Sequence, residues 1–323
     1  MRPPLPFGSR LRIPVVGAPL FIISNPDLAL AQCKAGVIGS FPSLNARPLS
    51  QLDEWLHRIT EELAAYDASH PELPSAPFAV NLIVHKSNGR LEEDLALCVK
   101  WRVPITITSL GAREDVNQAI RGYGGITLHD VIHNRFAHKA IEKGATGLIA
   151  VAAGAGGHAG TISPFALVSE IREWFDGILC LSGAIANGAS VLGALAMGAD
   201  LAYIGSAFIA TSEARAPEAY KQMIADSAAS DIVYTNHFTG VHGNYLKQSV
   251  VNAGLDPENL PGSDPVKMDF GTGGDKEFRV WRDIWGSGQG IGAVKGTVPV
   301  ADLVARLSRE FLAAKVALDH ASK

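Results

Sequence analysis

The chain has 323 residues, of which 47% are hydrophobic and 19% are charged, and its formal net charge is −4. This composition is typical of a globular protein with a substantial core, arranged as one large domain or two. Lys and Arg do not cluster anywhere along the chain. The charge pattern therefore argues against nucleic acid or an anionic membrane surface as a partner.

Targeting signals and cysteine spacing indicate the compartment. No apolar run has the length of a transmembrane helix, and the first residues lack the apolar core of a signal peptide. Cys33, Cys98 and Cys180 are far apart and form no CxxC pattern, which fits reduced thiols. We therefore expect a cytoplasmic protein without a membrane partner.

Short β-branched runs alternate with helical patterns from the start of the chain to about residue 212. Strands are predicted at 13–17, 37–41, 78–82, 104–108, 125–128, 147–151, 177–181 and 201–204. This repeat of strand and helix is typical of an α/β fold with a parallel sheet, and both a doubly wound sheet and a closed barrel fit it. The count of eight favours a (β/α)8 TIM barrel.

Composition changes after Thr211. Residues 213–285 begin with a helical pattern at 217–229 and then become rich in Gly, Asn and Pro without periodicity. We predict that 213–285 is an inserted, mostly helical or irregular lid domain, and that 1–212 and 286–323 form the barrel. Within the insertion, 234–247 is dense in aromatic and hydrogen-bonding residues, as in a binding loop or a loop capped by its own side chains.

A glycine-rich stretch with one histidine follows the predicted strand 147–151. It reads Gly-Ala-Gly-Gly-His-Ala-Gly over 154–160. Gly156 and Gly157 allow the backbone to approach a flat ligand closely, and His158, with a pKa expected near neutrality, is a candidate base or anion partner. The alternative is a loop histidine bonded to backbone. A dinucleotide fingerprint is disfavoured because the next helix begins only near Pro164.

Two further strand ends carry small residues. Ser182-Gly183-Ala184 follows the seventh predicted strand, and Gly205-Ser206 follows the eighth. Loops at these positions of TIM barrels often bind phosphate through backbone N–H groups, although they are also compatible with ordinary βα turns. Other residues predicted at the same barrel face are Ala18, Pro19, Leu20, Phe21, Asn81, Ser109 and His129.

Gln289 lies in the glycine-rich stretch 285–292 that leads back to the barrel. Its amide could donate to a ring oxygen of a ligand, and a flexible linker explains the glycines nearly as well. His129, His133 and His138 do not form a metal set, because the last two belong to a helical pattern. We therefore expect no metal.

Taken together, these residues resemble the nitronate monooxygenase family, formerly called 2-nitropropane dioxygenases. The resemblance rests on Gly17-Ala18-Pro19, Asn81, 155–160, 181–184, 196–200, 204–208 and Gly288-Gln289-Gly290. It implies a TIM barrel with an added helical domain and non-covalently bound FMN. Ser182, Gly183, Ala184, Gly205 and Ser206 would then hold the FMN phosphate. Ala18, Pro19, Leu20 and Phe21 would lie beside the isoalloxazine ring, Asn81 would hydrogen-bond it, and His158 would be the active-site histidine.

The resemblance also implies a flavoprotein monooxygenase that converts a small nitronate and O2 to a carbonyl compound and nitrite. The chain departs from the pattern at Asp130, where many relatives carry lysine. Relatives with similar loops are NAD(P)H:quinone reductases and enoyl-acyl-carrier-protein reductases, so these activities are the alternative. A third possibility is a barrel that binds a phosphate ligand without catalysis. The sequence leaves the oligomeric state open, including a homodimer.

Overall fold

The computed structural model describes residues 5–262 and 281–321, and its strands and helices follow the predicted alternation. The strands are β1 (Val15–Gly17), β2 (Gly39–Pro42), β3 (Phe78–Ile83), β4 (Ile105–Ser109), β5 (Ile126–Val131), β6 (Gly147–Val151), β7 (Gly157–His158), β8 (Ile178–Ser182), β9 (Leu201–Ile204), β10 (Ile232–Thr235) and β11 (Gly243–Leu246). The helices are α1 (Pro26–Lys34), α2 (Leu49–Ser69), α3 (Leu91–Lys100), α4 (Glu114–Gly122), α5 (Asn134–Glu142), α6 (Pro164–Arg172), α7 (Gly188–Met197), α8 (Ser206–Ile209), α9 (Glu218–Asp226), α10 (Lys247–Asn252) and α11 (Val300–Ala321).

Eight parallel strands form the main sheet in the order β1-β9-β8-β6-β5-β4-β3-β2. The two end strands also meet, because Val16 and Ile38 form a parallel bridge. There the Gly17 N–H donates to the Ile38 carbonyl at 2.8 Å, and the Ile38 N–H donates to the Val15 carbonyl at 3.0 Å. These bonds bring the sheet around into a barrel, so the predicted TIM-barrel class is confirmed and the doubly wound alternative is wrong.

Strand alternation divides the core into an inside and an outside. In each barrel strand, or at the residue just before it, a small or aliphatic side chain lies in the barrel interior. These buried residues are Val16, Ile38, Ala79, Ile105, Ile107, Leu128, Ile149, Cys180 and Leu201. The outward faces pack against the helices in two larger clusters, so the barrel centre is a filled core and only its mouth is available for a site.

The described part of 213–285 contains α9, which the helical pattern at 217–229 predicted, together with α10, β10 and β11, which the sequence did not predict. Strands β10 and β11 pair antiparallel with each other, and β11 pairs with the two-residue strand β7 of the glycine stretch. Phe238, Tyr245, Val250 and Ile284 form a small core beneath this sheet, while Tyr220 packs into the outer core of the barrel. The domain boundaries at 213 and 285 stay a prediction. In the ranges that the structure describes, no helix is both long and apolar enough to cross a membrane.

The start of α7 is held tightly against α11. Asn187 caps α7 by accepting a hydrogen bond from the Ser190 N–H at 2.8 Å. The Gly188 N–H donates to the Glu310 carboxylate at 2.8 Å, and a Cβ on Gly188 would lie 2.2 Å from the Phe311 nitrogen. Glycine is therefore required where the helix following the Ser182–Ala184 loop meets the C-terminal helix.

We predict that Gly188→Ala lowers the free energy of unfolding by about 1–3 kcal/mol or more, because the added methyl overlaps the α11 backbone. The matched control is Gly193→Ala in the same helix, where a Cβ meets nothing within 4 Å. Alanine there should raise stability by about 0.5–1 kcal/mol. Urea unfolding of both variants checks the pair, and equal stabilities would contradict the tight α7–α11 contact.

Candidate active site

The mouth of the barrel carries a layer of polar side chains. Asn81, Ser109, Asp130 and Tyr203 occupy strand positions that alternation directs inward, in register with the interior core residues. The Asn81 amide Nδ2 donates to the Ser109 hydroxyl at 2.9 Å and to the Ile107 carbonyl at 3.1 Å. Asn81 and Ser109, both predicted for this face, therefore lie together at the ends of β3 and β4.

Asp130 adds a carboxyl group to this layer. Burial raises the pKa of Asp130, although the neighbouring His129 ring and Ser109 hydroxyl favour its ionised form. Burial, followed by the nearby Asp130, raises the pKa of Tyr203 well above its usual value. Among the described residues no lysine or arginine acts on the Asp130 carboxyl. The layer is therefore polar without a cation acting on its carboxyl group.

His129 does not join the polar layer. It lies between Leu128 and Asp130 on β5, so alternation directs its side chain to the opposite face of the sheet. There its Nδ1 lies 2.7 Å from the Thr108 hydroxyl, and burial lowers its pKa. The structure thus separates His129 from the residues with which the sequence grouped it.

Three segments that are far apart in sequence meet at the Gly154 carbonyl. This oxygen accepts from the Ala184 N–H at 3.1 Å and from the Gln289 N–H at 2.9 Å. Beside it, the Gly288 N–H donates to the Ser206 hydroxyl at 2.8 Å. The glycine stretch, both predicted phosphate loops and the return segment are therefore one connected surface at the carboxyl ends of β6, β8 and β9.

Glycines are necessary for this junction. A Cβ on Gly156 would lie 2.7 Å from the Gly288 nitrogen, and a Cβ on Gly183 would lie 2.8 Å from the Ala153 carbonyl oxygen. Gly183 also has a φ of +146°, which side-chain-bearing residues rarely adopt. By contrast, a Cβ on Gly205 would only touch Ala18 and Leu20, at 3.6 and 3.5 Å. The space in front of Gly205 is bounded by the loop after β1, where Pro19 and Phe21 also lie.

This surface has the chemistry that a phosphate group requires. It offers main-chain groups and the Ser206 hydroxyl at the start of α8, next to small residues that leave the backbone accessible. Within the described ranges, no three His, Cys, Asp or Glu side chains come together as a metal site would require.

Pairing with the inserted strand β11 positions His158. His158 lies opposite Gly243, and Gly157 lies opposite Asn244. The Asn244 amide donates to the Ala155 carbonyl at 2.7 Å, so side-chain and main-chain bonds together hold the glycine stretch. The consequence is that a residue of the barrel loop takes its orientation from the insertion.

The half-buried His158 imidazole contacts two residues of the region 213–285. Its Nε2 lies 2.8 Å from the Thr239 hydroxyl, 81 residues away in sequence, and the Trp281 ring meets it edge-on at 5.3 Å. Burial lowers the pKa of His158 to about 4. The expected pKa near neutrality is therefore wrong for this environment, and the imidazole is neutral at pH 7. The alternative of a loop histidine bonded to backbone is not favoured, since the hydrogen bond of His158 is to the side chain of Thr239.

Thr239, Asn244 and Trp281 were not individually predicted from the sequence. The first two fall inside 234–247, whose density of aromatic and hydrogen-bonding residues pointed to a binding loop. That signal identified the segment. It could not identify the contact with His158, which depends on the register between β7 and β11.

Comparison with known proteins decides the family. The family model described as nitronate monooxygenase matches residues 88–310, more than two thirds of the chain. The chain belongs to the nitronate monooxygenase family. This confirms the resemblance and makes the protein an oxidoreductase.

Two relatives in the nitronate monooxygenase family match nearly the whole chain. The nitronate monooxygenase of Paraburkholderia phytofirmans is 26% identical, over 92% of both chains. That of Neurospora crassa is 25% identical, over 92% of this chain and 88% of its own. Among solved structures, nitroalkane oxidase of Streptomyces ansochromogenes is 24% identical with a TM-score of 0.77, covering 94% of this chain and 97% of its own. The last likeness shows a shared barrel fold.

We predict a pH-dependent loss of stability that depends on His158. Since its pKa is about 4 in the folded protein and about 6.5 when unfolded, the unfolded chain binds more protons between these values. Stability therefore falls as pH drops through this window, by about 2–3 kcal/mol between pH 7 and pH 4.5. Urea unfolding at both pH values should show a smaller loss for His158→Gln.

The matched control for this measurement is His320→Gln, at the exposed end of α11, which should follow the wild type. If His158→Gln and wild type lose equal stability over the window, His158 is accessible to water and the depressed pKa is wrong.

Proposed function

We propose that the protein is an FMN-dependent nitronate monooxygenase that oxidises alkyl nitronates with O2 to carbonyl compounds and nitrite. The observation that carries the proposal is a half-buried His158, hydrogen-bonded to Thr239, on the same barrel face as the small-residue junction of Gly154, Ala184 and Ser206. Family membership supports the reaction class. The overall stoichiometry balances as two nitronate anions and one O2 giving two carbonyls and two nitrites.

The residues present fit FMN. Ser182, Gly183, Gly205 and Ser206 would hold its phosphate through main-chain N–H groups and hydroxyls, and Ala184, whose N–H already donates to the Gly154 carbonyl, would border it. Ala18 to Phe21 would border the ring system, and Asn81, Ser109 and Gln289 offer amide and hydroxyl groups for its polar edge. When bound, FMN supplies the chemistry that accepts electrons from the substrate and transfers them to O2.

The protein's own contribution at the substrate is a half-buried imidazole whose pKa burial lowers to about 4. Thr239 and Trp281 cover part of His158, and the lowered pKa favours the unprotonated ring at pH 7. A substrate anion nearby favours the charged imidazolium, so we expect nitronate binding to be accompanied by proton uptake at His158. The resulting ion pair would hold the substrate in place.

The depressed pKa also favours preformed nitronate over neutral nitroalkane. A fall from 6.5 to about 4 makes proton abstraction about 3 kcal/mol less favourable than with an unperturbed imidazole. Attraction between the imidazolium and the product nitronate offsets part of this cost. A substrate that arrives already deprotonated avoids the step, so we propose that nitronates are the better substrates.

We predict that the purified protein is yellow and that acid treatment releases FMN, identified by chromatography. Gly205→Val should reduce FMN occupancy several-fold, because its side chain fills the space beside Ala18 and Leu20 without a backbone clash. Gly193→Ala, in the open part of α7, should retain FMN fully. Release of FAD, absence of flavin, or full occupancy in Gly205→Val would contradict the assigned site.

We predict that nitronate added without oxygen bleaches the flavin absorbance, and that NADH does not. Admitting O2 should restore the colour and release nitrite. In His158→Asn, activity on neutral nitroalkane should fall by about 10²–10⁴-fold, the usual range for a positioned base, and activity on preformed nitronate should fall less. Bleaching by NADH alone would reject the monooxygenase and support the quinone or enoyl reductase alternative.

A further inference from the structure

The hydroxyl of Thr239 touches three hydrogen-bonding groups at once. Its Oγ1 donates to the Val241 carbonyl oxygen at 3.0 Å and accepts from the Val241 N–H at 3.3 Å. It also lies 2.8 Å from Nε2 of His158. Thr239 is 1% exposed, so water does not compete for these contacts.

Only one placement of protons satisfies all three contacts. A threonine hydroxyl has one proton to donate and two lone pairs that accept. The Val241 carbonyl can only accept, so it takes the hydroxyl proton, and the Val241 N–H can only donate. The remaining lone pair of Oγ1 faces Nε2, which must therefore carry a proton and donate it to Thr239.

The reverse placement leaves a conflict. If Thr239 donated to Nε2, its oxygen would face the Val241 carbonyl at 3.0 Å with no proton between two lone-pair-bearing atoms. Burial raises the pKa of the Tyr245 hydroxyl, which lies close enough to Thr239 for a hydrogen bond between them to lower that pKa in part, although it meets no partner in good hydrogen-bond geometry. The Val241 carbonyl, which can only accept, still requires the Thr239 proton. Nδ1 of His158 has no hydrogen-bond partner among the described residues and is free to accept a proton.

We propose that Thr239 fixes the tautomer of His158, so that Nδ1 is the atom that accepts the substrate proton. This inference rests on the proposed function. When a neutral nitroalkane binds, its C–H bond breaks, the proton moves to Nδ1, and the electron pair remains on the substrate as nitronate. Thr239 is a positioning residue, since it acts through His158 and not on the substrate.

The insertion holds Thr239 firmly enough for this role. Thr239 follows Phe238, which is 1% exposed and packs edge-on against Tyr245 at 5.0 Å. It precedes Gly240, whose N–H donates to the Asn236 carbonyl at 2.9 Å and whose φ is +78°. The turn between β10 and β11 is thus closed on both sides of Thr239. The insertion therefore determines which nitrogen of the barrel histidine acts.

Nitrogen-15 NMR of the FMN-loaded holoenzyme tests the proposal directly. His158→Gln assigns the His158 signals, and the Nε2 and Nδ1 shifts report which atom carries the proton. We expect protonated Nε2 and unprotonated Nδ1 in the wild type and in Thr239→Ser. In Thr239→Val, which has nearly the same shape but no hydroxyl, both tautomers should appear. A proton on Nδ1 in the wild type would overturn the proposal.

Kinetics gives a second readout. Thr239→Val should lower kcat/KM for a neutral nitroalkane about 10–100-fold, as expected when the group that orients a functional side chain is lost. Thr239→Ser should restore it, and activity on preformed nitronate should fall less than activity on neutral nitroalkane in Thr239→Val. Equal rates in Thr239→Val and wild type would reject the positioning role. Because the NMR measurement needs no turnover, failure of nitronate oxidation would reject the function and leave the tautomer result intact.

Discussion

The geometry of the candidate site depends on the pairing of two short backbone segments, Gly157–His158 and Gly243–Asn244. The contact is so close that a Cβ on Gly243 would lie 2.7 Å from the Gly157 carbonyl oxygen. Glycine permits this approach, and the ladder then brings the insertion against the end of β6. Enclosure of His158, its depressed pKa and its contact with Thr239 all follow from that pairing.

The barrel contributes a second constraint on the other side of the same loop. Gly154 uses its carbonyl to join the loop after β8 to the return segment at Gln289, while Ser206 bonds the neighbouring Gly288. The glycine stretch is therefore held at both of its ends, by the phosphate-type loops and by the insertion. A rigid loop of this kind can present an imidazole to a ligand without help from a charged partner.

The described part of the barrel mouth contains a buried carboxyl group on which no lysine or arginine acts. Asp130 is directed inward beside Ser109 and Tyr203, and burial raises its pKa. Burial also lowers the pKa of His158 to about 4, so the described part of the mouth relies on hydrogen bonds and main-chain groups rather than on a fixed positive charge. An anionic substrate would thus contact hydrogen-bond donors and the His158 imidazole, and proton uptake by this imidazole would supply the positive charge.

Local periodicity, with glycine and serine at the strand ends, was enough to predict the eight strands, their parallel order of connection and the small-residue loops that follow them. It also identified His158 and the segment 234–247 as separate candidates. Their contact could not be predicted, since it depends on the register of β7 and β11, a long-range pairing that local pattern does not encode. The orientation of His129 also depends on the folded sheet, because strand alternation directs its side chain away from the barrel interior. The pKa of His158 likewise depends on long-range contacts, because the burial that lowers it involves residues 81 and more positions away.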